Sequence, residues 1–154
     1  MAAVAGAVSQ LVGSGLREHS RELLIENGGD VYLSGRQERM VAIYTAERAL
    51  GTTLGIRVTP EGGELGICTS SGRFGHSLSL GEASTATIIA PTAALADAAA
   101  TAVGNRVHGP EGVRRGMDLA RNIPGVEGAV IVHDGKVGAW GRVELLRLDG
   151  GGGK

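Results

Sequence analysis

Small apolar residues recur at Ala2, Ala5, Val8, Val12 and Leu16, a helical spacing that predicts an amphipathic helix over 1–17, closely packed through Ala5 and Gly6. Gly13 and Gly15 weaken its last turn. The period then becomes two. Leu23 and Ile25 fall on one face and Glu22, Leu24 and Glu26 on the other, Asn27-Gly28-Gly29-Asp30 interrupts the run, and Val31-Tyr32-Leu33 resumes it. This reads as strand, glycine turn, strand: both positions of the Asn-Gly pair accept positive φ, and paired glycines equally suit a bulge where a ligand lies against the backbone. Further strands are expected at Met40 to Tyr44, Leu54 to Val58 and Glu64 to Cys68, with turns at Gly51 and Pro60-Glu61-Gly62-Gly63.

From Thr69 to Gly81 the chain is polar and small, a loop rich in hydroxyls, and Thr85 to Ala90 is the next strand. Thr92 is placed to cap an alanine-rich helix that ends near Gly104 and Asn105. A second short helix, Val113 to Arg121, stops before Pro124. Strands follow at Ala129 to Val132, Val137 to Ala139 and Val143 to Leu146, the first two joined at Asp134-Gly135. Short turns rather than helical crossovers join most strands, so an α+β domain with a largely antiparallel sheet is expected, not a doubly wound parallel one. One domain over 1–149 and a disordered tail over 150–154 complete the expected organisation.

Composition sharpens this. Glycine makes up 27 of 154 residues with no three-residue repeat, so the chain is neither collagen-like nor low-complexity, but rich in tight backbone. One Trp, one Phe and two Tyr leave Val, Ile, Leu and Ala to build a thin core with close backbones. A net charge of −1 offers no general attraction to nucleic acid or anionic lipid, so neither is expected as a partner. The opening apolar run is too short to span a bilayer and has no basic region before it, and the single cysteine, Cys68, suits a reducing compartment; the cytoplasm is the expected location.

Three segments can carry chemistry. Asp97 and Thr101 share one helix face and offer two hard oxygens to Mg²⁺, although spacing alone favours a solvated face, two oxygens being far short of an octahedron. In Cys68-Thr69-Ser70-Ser71-Gly72-Arg73-Phe74-Gly75-His76, glycines let amides converge, hydroxyls donate and Arg73 adds charge, which suits an oxyanion as well as it suits a plain surface loop. His76 is read either as an acid, base or phosphate partner or as a structural histidine, and Cys68 as a sulfur nucleophile or, as free cysteines usually are, an inert buried thiol. In Asn27-Gly28-Gly29-Asp30, Asp30 is a candidate for a ribose or a metal, against plain turn chemistry. Arg106, His108, Arg114, Arg115 and Arg121 outnumber Glu111 and Asp118, a patch that more often is a solvated face than an anion site.

Taken in order, E-N-G-G-D-V-Y-L-S-G, C-T-S-S-G-R-F-G-H-S-L-S-L-G and T-A-T-I-I-A-P-T-A-A-L-A-D-A-A-A-T-A-V-G-N resemble the ApbE-like superfamily, in the form of its small bacterial and archaeal subfamily. The resemblance covers nearly the whole chain. It implies a T-fold-related α+β architecture, an antiparallel sheet backed by helices, and a Mg²⁺-dependent FAD:protein FMN transferase chemistry, once associated with thiamine biosynthesis. It implies Mg²⁺ ligands at Asp97 and Thr101, flavin contacts at Gly28, Gly29 and Asp30, and a binding stretch at Thr69, Ser70, Ser71, Gly72 and Arg73. His76 matches the histidine opening that family's H-I-I-D-P-x-T-G motif, but S-L-S-L-G-E-A follows it here. The resemblance also implies that the chain corresponds to the carboxyl-terminal two thirds of a larger domain.

The leading functional expectation is Mg²⁺-dependent cleavage or transfer at a flavin or nucleotide phosphoanhydride, with Asp97 and His76 catalytic and an anionic small molecule or flavin nucleotide bound. The alternatives are a sulfur-handling enzyme using Cys68 and a non-catalytic binding protein for an anionic small molecule. Sheet pairing among T-fold relatives and the thin core lead to the expectation of a homo-oligomer.

Overall fold

The structure, a computed structural model, describes residues 3–45, 53–61, 63–72 and 82–148. Its elements in chain order are α1 (Val4–Leu16), β1 (Leu23–Asn27), β2 (Asp30–Ser34), β3 (Arg39–Ile43), β4 (Thr53–Val58), β5 (Glu64–Ser70), β6 (Thr85–Ala90), α2 (Ala93–Arg106), α3 (Gly112–Asn122), β7 (Gly128–His133), β8 (Lys136–Gly141) and β9 (Glu144–Leu148). The expected mixed α+β, antiparallel architecture is present. Strands β1-β2-β5-β6-β7-β8 form a six-stranded sheet and β3-β4-β9 a three-stranded one, every pairing antiparallel.

Alternation along the strands builds two cores. Facing the helices, Tyr32, Cys68, Ile88 and Ile131 pack on Ala93, Ala96, Ala100 and Val103 of α2. Facing the small sheet, Val31, Leu33, Leu65, Ile67, Ile89 and Val130 pack on Ile43, Leu54, Ile56 and Val58. The large sheet is therefore covered on both sides, which explains why every residue of β6 and β7 is buried. Alanines on α2 let it ride close to the sheet at Gly66.

Several boundaries differ from expectation. β5 runs on through Ser70, so Thr69 and Ser70 are strand residues rather than loop, because they stay paired with Thr87 and Ala86 of β6. α2 continues past Gly104 to Arg106. The larger correction concerns α1. Its buried residues are Gly6, Ser9 and Gly13, while Val8, Val12 and Leu16 of the expected apolar face are exposed. A helix that must touch another backbone turns its smallest residues inward; a Cβ on Gly13 would come within 2.2 Å of the Tyr32 ring. The turn expected at Gly51 and the glycine-rich tail lie outside the described residues. Among the described residues no helix is long and apolar enough to cross a membrane, which says nothing of a β-barrel.

Candidate functional site

Asp30 opens β2 immediately after Gly28-Gly29 and stands in register opposite Cys68 of β5. Gly28 (φ +63°) and Gly29 (φ +97°) both occupy left-handed backbone, and a Cβ on Gly28 would meet nothing within 4 Å. The turn is thus bare backbone facing open space, with the Gly29 amide donating to Glu26 Oε1 at 2.8 Å. Asn27 folds back to α1, its Nδ2 donating to the Ala5 carbonyl at 3.3 Å.

Asp97 reaches the same corner from α2. The Asp30 residue is only 8% exposed; the Thr69 amide and the Cys68 thiol lie beside its carboxyl, which faces the Asp97 carboxyl. Burial first, and the negative charge of Asp97 second, push the Asp30 pKa up to about 6. The folded state therefore holds this proton more tightly than the unfolded chain does. Its contribution to stability is full below the ordinary carboxylate range and is lost as pH rises through about 6. We expect metal-free Asp30→Asn to be more stable than the wild type by on the order of 2 kcal/mol at neutral pH, the gain vanishing near pH 4. Urea unfolding at the two pH values checks this; a loss of stability at neutral pH would contradict it.

Cys68 is fully buried beneath α2, and its Sγ donates to the Ala93 carbonyl at 3.3 Å. Burial and then the Asp30 and Asp97 carboxylates push its pKa up, the opposite of what a thiolate nucleophile needs. This is the environment of an inert thiol.

The other sequence candidates divide by the pleat. Thr69 shares the face of Leu65 and Ile67, away from Asp30, and its hydroxyl pairs with that of Thr87 at 2.9 Å; only its backbone lies near Asp30. Ser70 faces α2, where a Cβ on Gly104 would lie 3.4 Å from its Oγ. The Ser71 hydroxyl donates to the Ser84 carbonyl at 2.8 Å, and the Gly72 amide to the Ala83 carbonyl at 3.0 Å, closing the base of the loop. Thr101 is half-buried one turn beyond Asp97 on α2. Arg73 and His76 lie outside the described residues. The arginine patch is paired internally: Arg114 bonds Glu111 at 2.7 Å and Asp118 at 3.4 Å, Arg115 donates to the His108 carbonyl, and Arg121 lies 5.8 Å from the centre of the Trp140 ring. That is a solvated face.

The sequence announced α1 and its close packing at Gly6, but not the part this helix plays at the site. The Gly6 amide donates to Asp97 Oδ2 at 2.9 Å, Ser9 Oγ to the Asp30 carbonyl at 3.0 Å, and Gln10 Oε1 accepts from the Ala94 amide at 3.1 Å. The signal was the inward spacing of the small residues Gly6, Ser9 and Gly13.

Among the described residues no group of three or more His, Cys, Asp or Glu side chains is arranged to hold a metal ion. Two carboxyls meet at this corner, and Mg²⁺ is commonly bound through one or two carboxylates with water and ligand oxygens completing the shell; Thr101 lies one turn beyond Asp97 on the same helix. Two carboxyls sharing a desolvated corner are also a charge conflict that a cation relieves.

Comparison with known proteins gives the family and the fold, not the site. A family model described as AbpE bacteria matches residues 1–123. A UPF0280 protein of Methanococcus maripaludis is 39% identical over 146 residues, taking in 90% of this chain and 59% of the relative. Another, of Methanopyrus kandleri, is 40% identical over 158 residues, taking in 98% and 63%. The chain spans about three fifths of the length of these curated relatives. Its fold is similar to that of the flavin transferase ApbE from Vibrio cholerae (TM-score 0.61, 18% identity, 89% of this chain and 48% of that one). It is equally similar to the flavinyl transferase ApbE of Pseudomonas stutzeri (TM-score 0.62, 23% identity, 94% and 46%). Most of the chain falls within the family match, and its two-sheet, helix-backed fold is shared with these structures, so the chain belongs to the ApbE-like family described as AbpE bacteria.

Proposed function

We propose that the chain carries a Mg²⁺-dependent site acting on a flavin nucleotide, cleaving or transferring at its phosphoanhydride. The observation that carries this reading is the meeting of Asp30 and Asp97, from a hairpin and a helix, in a buried corner beside the exposed Gly28-Gly29 turn. Family membership and the likeness in fold to flavin transferases support it.

In this reading Asp97 and Thr101 hold the cation, with Asp30 beside them. Bound there, Mg²⁺ would neutralise charge on phosphate oxygens. Bare backbone at Gly28 and Gly29 lets a flat ligand approach without meeting a Cβ. Ser70, with Arg73 and His76 beyond it in the chain, is the candidate to orient phosphate oxygens, and His76 to shuttle a proton, while Ser71 and Gly72 hold the base of that segment through their bonds to Ser84 and Ala83. Since the chain spans only part of its relatives, the flavin pocket in this reading draws on more than the residues described.

Incubation of the full-length protein with FAD and Mg²⁺ should release FMN or AMP, read by chromatography. Finding neither product, with or without a protein acceptor, sinks the reading.

A further inference from the structure

The first turn of α1 has no cap of its own. Ala3 stands at its N-cap position with φ 74° and no side-chain hydrogen bond, and the first amide to pair within the helix is that of Ala7, with the Ala3 carbonyl. The Gly6 amide is therefore one of the unpaired donors that every helix start presents. It is satisfied from ninety-one positions away, by Asp97 Oδ2 at 2.9 Å. In return Gln10 Oε1 accepts from the Ala94 amide in the first turn of α2. Each helix caps the other.

The closeness needed for this depends on Gly6 being glycine. A Cβ there would stand 2.4 Å from the Ala93 carbonyl oxygen and 2.6 Å from Asp97 Cβ, so any side chain lifts α1 off α2 and takes the amide from the carboxylate. An amide hydrogen bond at a helix start fixes the rotamer of the carboxylate that accepts it. Ser9, one turn on, holds the Asp30 backbone at 3.0 Å, so the same helix face braces both carboxylate-bearing segments.

We propose that Gly6 is a positioning residue for Asp97, so that docking of α1 on α2 and occupancy of the carboxylate corner by a divalent cation are coupled. This rests on the cation-binding role of Asp97 given above. Coupling is reciprocal: the docked helix holds the carboxylate in place for the cation, and the cation in turn holds α1 in place. Partners that orient a ligand without touching the metal typically change affinity by about 10–100-fold when removed.

The test compares two glycines of one helix. Gly13→Ala also forces α1 outward, against the Tyr32 ring, but at the end remote from Asp97. Mg²⁺ and Mn²⁺ are titrated by calorimetry into the full-length wild type, Gly6→Ala and Gly13→Ala, well below their unfolding temperatures. We expect Gly6→Ala to bind about 10-fold or more weakly and Gly13→Ala within about twofold of wild type, although both are destabilised. Equal loss in both variants, or none in Gly6→Ala, overturns the positioning role while leaving the cation site standing. A wild type that takes up neither cation overturns the functional reading, and this one with it. Should Gly6→Ala not fold, wild-type NMR decides: the Gly6 amide resonance must move on Mg²⁺ addition while that of Gly13 stays, and an unmoved Gly6 amide overturns the proposal.

Discussion

Asp97→Asn should lower Mg²⁺ affinity by about 100-fold or more while leaving the metal-free protein nearly as stable as before. The two effects separate because asparagine keeps an oxygen for the Gly6 amide and removes only the charge. A neutral acceptor makes a weaker bond to that amide than a carboxylate does, a loss of about 1 kcal/mol. Against this, the negative charge that pushes up Asp30 is gone, so the folded protein regains part of what the charge conflict cost. A divalent cation, by contrast, loses a full charge a few ångströms away; at an effective dielectric of about 20 even a unit pair at 4 Å is worth about 4 kcal/mol, which more than covers the expected change. Calorimetric titration with Mg²⁺ beside urea unfolding of the same variant reads both quantities. Unchanged affinity would remove Asp97 from the cation site, and a collapse of stability would make it a structural cap alone.

The largest loss of stability is expected at Gly66. This residue faces α2 from the middle of β5, and a Cβ on it would lie 2.4 Å from Ala93 Cα and 2.5 Å from both Ala93 N and the Thr92 carbonyl oxygen. These are all backbone atoms of the capped start of α2, where Thr92 Oγ1 accepts from the Leu95 amide, so no side chain can swing aside. Gly66→Ala must push the helix away from the sheet and loosen the contacts of Ala93, Ala96 and Ala100 beneath it. We expect a loss of about 3 kcal/mol, a large share of a typical domain's total, and a fall in Tm of roughly 10 °C. Gly63→Ala is the matched control: its Cβ would have only the Pro60 carbonyl oxygen, at 3.6 Å, for a neighbour, so its Tm should hold. Equal shifts in the two would mean that α2 does not depend on close approach at Gly66.

Strands were legible because alternation is written in side chains. Leu23 and Ile25 against Glu22 and Glu26, or Val31 and Leu33 around Tyr32, encode both the period and the faces, and glycine pairs and Thr92 mark the ends. The face of α1 was misread in part by the same logic, although its close packing at Gly6 was expected. Hydrophobicity assigns Val8, Val12 and Leu16 to the inside, whereas the contact distance to α2 and Tyr32 selects Gly6 and Gly13. At the site, Asp30 and Asp97 stood out as acids in small-residue surroundings, and the structure brings them together. That the Thr69 hydroxyl would turn away from this corner followed from β5 running two residues further than its apolar pattern, which puts its side chain on the far face. The part played by α1 is carried by a backbone amide, which every residue but proline has, so no letter of the sequence announces it.

The bond from Gly6 to Asp97 has a consequence for how the molecule acquires its site. Its two ends lie ninety-one residues apart, with β1, β2, β5 and β6, four of the six strands of the large sheet, between them in chain order, so the bond closes a long loop. Closing such a loop is a late event on the way to the native state. A nascent chain that has not yet emitted α2 carries the glycine turn but no companion carboxylate. If the corner takes up Mg²⁺ as proposed, the cation would not seed the fold; it would stabilise a chain that has already brought the two segments together, by mass action on the completed state.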